Sequence, residues 1–129
     1  MNSIILTHVA VSTPGEFLLD GALDRLGAWL DAELGSLEDL LDISGQGDAE
    51  GDIKILRGLH LEASSTPADT RQMLKRAQVS LECLMECVRT ISPDAVTDAR
   101  APSDLDAWLR WSGARLQDII ATISRALEC

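Results

Sequence analysis

A chain of 129 residues, 46% of them hydrophobic, is long enough to bury a core as one domain, 1–129, and too apolar for a disordered protein. Its net charge of −10 works against direct binding to nucleic acid or to an anionic membrane, since both select cationic surface. No apolar run nears the roughly 18 residues of a membrane span, the stretch from Ile4 to Val11 lacks the basic flank of a signal peptide, and an odd three cysteines suit a reducing compartment, so a cytoplasmic protein is expected.

Aromatic residues are few: Phe17, Trp29, Trp108, Trp111 and no Tyr. The core must therefore be built from Leu, Ile, Val and Ala, a composition that favours helices. The charge is uneven along the chain. Residues 1–52 hold eleven acidic side chains and one basic, Arg25, whereas residues 53–129 hold ten of each and sum to zero.

In chain order, residues 3–11 allow a short strand or an extended arm, ended by the turn Ser12-Thr13-Pro14-Gly15. Residues 16–43 then read as helix, because Leu19, Leu23, Leu26, Leu30, Leu34, Leu37 and Leu41 recur three or four apart. Gly35-Ser36 is the place where this helix would break in two, so one helix and two remain open. Residues 44–52, with three glycines, read as a flexible acidic loop. Residues 53–63 fit either a strand or a helix, with helix slightly favoured.

The next helix has a clear start: Thr66 as cap, Pro67 in the first position and Asp69 completing a capping box. Its stripe of Leu74, Ala77, Leu81, Leu84, Val88 and Ile91 has a heptad rhythm, which also leaves a homodimer open. Ser92-Pro93 and Ala101-Pro102 break the chain. Ser103 is the expected cap of a last helix carrying Leu105, Leu109, Ser112, Leu116, Ile119, Ile123 and Leu127. The expected fold is all-α: a small antiparallel bundle of three long helices plus one or two short elements.

On a helix, Glu16, Asp20, Asp24, Asp31, Glu38 and Asp42 fall within about 80° of one another, beside the leucine stripe. This ridge is either a solvated face, partly paired with Arg71, Lys75 and Arg76, or a surface for a basic partner. At 1.5 Å rise per residue its carboxylates lie about 7 Å apart, half the density of a DNA strand at about 3.4 Å per charge. Copying a duplex would need Asp48, Glu50 and Asp52 as well. Trp111 and Trp108 stand three apart on the last helix near Arg110 and Arg115, a composition enriched at binding hot spots. Either one packs in the core and the other lies at an interface, or both are core.

Other chemistry finds little support. Asp48, Glu50 and Asp52 fail the calcium-loop pattern, because Gly51 falls one place before Asp52 and Leu59 occupies the last ligand position. Cys83 and Cys87 lie four apart with no second pair, so they read as small buried hydrophobes and not as zinc ligands, and Cys129 is expected exposed. Neither His8 nor His60 sits in a catalytic motif, and no nucleophile elbow or phosphate loop is present. No enzyme, metal or cofactor is expected.

In size and charge alone the chain resembles small acidic binding proteins of bacteria and their viruses, among them anti-CRISPR inhibitors and secretion chaperones. No motif carries that resemblance, and it implies no site residues. The expected function is binding of a basic protein surface by the acidic N-terminal region, in its sharpest form inhibition of a nucleic-acid-handling complex by occupying its binding surface. The alternative is a self-associating structural or adaptor protein, or a chaperone-like binder, whose charge serves solubility.

Overall fold

The computed structural model describes residues 14–59 and 66–128, with side chains from residue 18 onward. The strand or arm expected at 3–11, together with His8, His60 and Cys129, lies outside these residues, as does the side chain of Glu16.

Four α-helices and no strand occur among the described residues: α1 (Pro14–Ile43), α2 (Glu50–Arg57), α3 (Pro67–Thr90) and α4 (Leu105–Glu128). Three are long, at 30, 24 and 24 residues, and α2 has eight. Short 3-10 turns at Gly47–Ala49 and Pro93–Ala95 link them. No helix here is long and apolar enough to cross a membrane.

α1 runs unbroken through Gly35. Its leucine stripe is continuous on both sides of that residue, so burial of Leu34, Leu37, Leu40 and Leu41 holds the helix together where propensity alone would let it break. Its end is chemically defined. Gly45 takes φ +76°, the Gln46 N–H reaches back to the Leu41 carbonyl at 2.8 Å, and the Gly45 N–H reaches that of Asp42 at 3.1 Å. This is a Schellman closure, which needs a residue without Cβ strain at the left-handed position.

The acidic loop is shorter than expected, and of the segment expected at 53–63 residues 53–57 are helical while 60–63 lie outside the described residues. Glu50 and Asp52 occupy the first turn of α2, where carboxylates suit the positive end of the helix dipole, and Ala49, Ile53 and Leu56 are buried. α3 starts as expected, with the Asp69 N–H donating to Thr66 Oγ1 at 3.2 Å and Pro67 in the first turn. For α4 the expected cap moves by one residue. The first intrahelical bond runs from the Trp108 N–H to the Asp104 carbonyl at 3.1 Å, which makes Asp104 the capping position in place of Ser103.

Cross-helix contacts give the directions. Residues 25, 33 and 36 of α1 meet residues 118, 115 and 108 of α4, so these two helices are antiparallel. Likewise Arg71 and Gln78 of α3 meet Leu127 and Ser124 of α4. The chain therefore runs up, down, up and down, with α2 as a short second strut. One aliphatic core joins the helices, with Leu26, Leu40, Leu56, Leu74, Leu84 and Leu116 fully buried and Trp29 as its aromatic member. The heptad stripe of α3, from Leu74 to Val88, is buried inside this bundle.

Candidate functional site

The acidic ridge divides into two stretches. Asp20, Asp24 and Asp31 are exposed along the outer face of α1, and no ion pair involves them among the described residues. Farther along, Glu38 accepts from Arg57 of α2 at 2.6 Å and Asp42 accepts from Arg100 at 3.0 Å. The cations that pair with Glu38 and Asp42 are thus Arg57 and Arg100. Arg71 donates to the Leu127 carbonyl at 2.8 Å, where a cation suits the negative end of α4.

The expected extension through Asp48, Glu50 and Asp52 forms only in part. Glu50 joins Glu38, Asp39 and Asp42 around a cavity of about 390 Å³ between α1 and α2, and it also pairs with Lys54 at 3.4 Å. Asp48 is exposed in the 3-10 turn, while Asp52 is half-buried. Both lie on the side of Cys87, whose thiol is pushed up by burial first and by these two carboxylates next.

Arg100 organises the turn before α4. Its backbone N–H, Nε and Nη2 all donate to the Asp98 carboxylate at 2.8–3.0 Å, while Nη1 reaches Asp42. The guanidinium bonds hold the Asp98 carboxyl down at about 2. The same two carboxylates raise Arg100 above its ordinary value.

The two C-terminal tryptophans separate. Trp108 is half-buried and its indole N–H donates to Ser36 Oγ at 3.1 Å, which ties α4 to α1. Trp111 is 50% exposed. It lines a groove of about 600 Å³ between α1 and α4, opposite Ala28 and Ala32. Compared with protein-family models, with curated proteins and with solved structures, the chain matches none.

Two ion pairs cross that groove. Arg25 bonds Asp118 at 3.0 Å, with both partners about half exposed. Arg115 grips Glu33 with two bonds, Nε to Oε1 at 2.7 Å and Nη2 to Oε2 at 3.2 Å, and Glu33 is 9% exposed. The bonds from Glu33 raise the Arg115 guanidinium above its ordinary value. Both α1–α4 pairs were invisible to periodicity, because they join residues 93 and 82 positions apart. Among the described residues, no three His, Cys, Asp or Glu side chains converge as a metal site requires.

Proposed function

We propose that the protein is a non-enzymatic cytoplasmic binding module that uses the outer face of α1 to hold a basic protein surface. The observation that carries this reading is the row of Asp20, Asp24 and Asp31. They are exposed on a continuous helix in a chain of net charge −10, and no ion pair relieves them among the described residues. Exposed carboxylates without cations make the local potential more negative, which speeds encounter with a cationic partner and makes binding depend on salt.

In its sharpest form the module is an inhibitor that covers the nucleic-acid-binding surface of a partner complex. The pairing of Glu38 and Asp42 with arginines bears on how it would do so. The unpaired row is shorter and sparser than a phosphate backbone, so it would block such a surface as a wedge of charge and not as a copy of a duplex.

The test is capture of partners from a lysate of the source organism, with stepwise salt elution. A triple variant, Asp20→Lys, Asp24→Lys and Asp31→Lys, serves as the control. The expected captured proteins are basic, elute as salt rises, lose their nucleic acid on binding, and are absent with the variant. Retention by the variant, or elution indifferent to salt, removes the proposal.

A further inference from the structure

We propose that the α1–α4 groove receives an amphipathic helix with a basic edge, laid along α1. This rests on the reading of the aspartate row above and adds the apolar half of the contact. Two cavities, of about 600 and 720 Å³, open along the seam of α1 and α4 and share Arg25. Their outer ends are marked by two large exposed apolar side chains, Trp111 at 50% and Leu18 at 44%. Trp29 is 5% exposed and lines the larger opening beside Trp111, and its indole N–H has no acceptor among the described residues.

Between the two ends, α1 presents a line of small residues beside Arg25, which is held across the seam by Asp118. Gly21, Ala28, Ala32 and Gly35 are all exposed and fall on one line within about 60°, some 21 Å long. The bundle does not need the missing side chains, since a Cβ placed on Gly21 or Gly35 meets nothing within 4 Å. Each glycine nevertheless weakens α1 relative to alanine. A low ridge of this kind lets a second helix approach to the short end of the 8–10 Å range of packed helices, with its apolar side chains lodged beside Trp111.

Charge selects the occupant. Within the groove the acidic groups, Asp118 of α4 and Glu33 of α1, are already matched by Arg25 and Arg115. Outside it, about 40–100° around α1 from Ala28 and Ala32, come Asp24 and Asp31. A second copy of this chain would bring another net −10 against them. A helix with lysine or arginine along one edge of an apolar stripe complements both halves of the surface.

The experiment titrates two synthetic 18-residue peptides of the same leucine and lysine content into the full chain. In one the leucines recur at helical spacing; in the other they are scattered. The helical peptide is expected to bind at least tenfold tighter and to shift Trp emission to the blue. The double variant Ala28→Gln, Ala32→Gln, checked for folding by its thermal melt, is expected to lose tenfold or more in affinity with the salt dependence unchanged. The variant Asp24→Lys, Asp31→Lys is expected to flatten the salt dependence. Equal or absent binding of the two peptides, or wild-type affinity in the glutamine variant, overturns the groove. Groove-dependent binding that ignores both salt and aspartate reversal keeps the apolar site but removes the basic edge, and with it the proposed function. Sedimentation is expected to show a monomer; a dimer abolished by the glutamine variant makes a second copy the occupant and overturns the proposal.

Discussion

Ser112 is 6% exposed at the centre of the α4 stripe, and its hydroxyl has no hydrogen-bond partner among the described residues. A buried, unpaired hydroxyl costs roughly 1–3 kcal/mol in desolvation, and alanine has nearly the same volume with better helix propensity. Ser112→Ala is therefore expected to raise the urea midpoint, by about 1 kcal/mol in unfolding free energy. Asp98 titrates in the opposite sense to a buried acid. Its folded value of about 2 lies below the ordinary 3.8, because Arg100 bonds the charged form. Its contribution to stability is complete above about pH 4 and is lost as pH falls through about 2. An acid titration should show Asp98→Asn removing stability at neutral pH and converging with the parent only below about pH 2. Ser112 was legible in the sequence as a stripe position, but its lack of a partner depends on neighbours that spacing does not encode. The Asp98–Arg100 bond is local, two positions apart, yet the reach of Arg100 to Asp42 crosses 58 positions.

At the level of elements, glycine acts in two ways. Gly45 closes α1 at φ +76°, a conformation that strains any residue with a Cβ, whereas Gly21 and Gly35 sit in ordinary helix with open space above them. Gly45→Ala should destabilise the protein by about 1 kcal/mol, and Gly35→Ala or Gly21→Ala should each stabilise it by about the same amount. Thermal melts of the three single variants check the difference in sign. The long helices were legible because a stripe at three- and four-residue spacing is a local property, and Thr66-Pro67 and Ser92-Pro93 mark the boundaries of α3 chemically. The segment 44–52 was misread because its glycines and acids resemble a loop. The spacing of Ala49, Ile53 and Leu56 matches a helix in the sequence as well as a strand, and their burial against α1 and α3 decides for helix.

For the molecule as a whole, the all-α class and the aliphatic character of the core were legible, since both follow from composition and periodicity. The surface was not. The acidic row looked uniform from Glu16 to Asp42, and only the tertiary positions of Arg57 and Arg100 separate its paired end from Asp20, Asp24 and Asp31. The α1–α4 groove was equally hidden, because its two walls are some 80 positions apart, and Trp111 alone signalled one of them. The short second strut has a consequence of its own. α4 runs antiparallel to both α1 and α3, so those two are parallel, and α4 with the eight-residue α2 offsets the dipole of about one of them. Peptide dipoles of parallel helices add, so the bundle has an electrical polarity along its axis as well as a net charge. Its negative pole is the end where Glu38, Asp39, Asp42 and Glu50 surround one cavity. In the field of a cationic body the molecule feels a torque before it makes contact, and it arrives already turned.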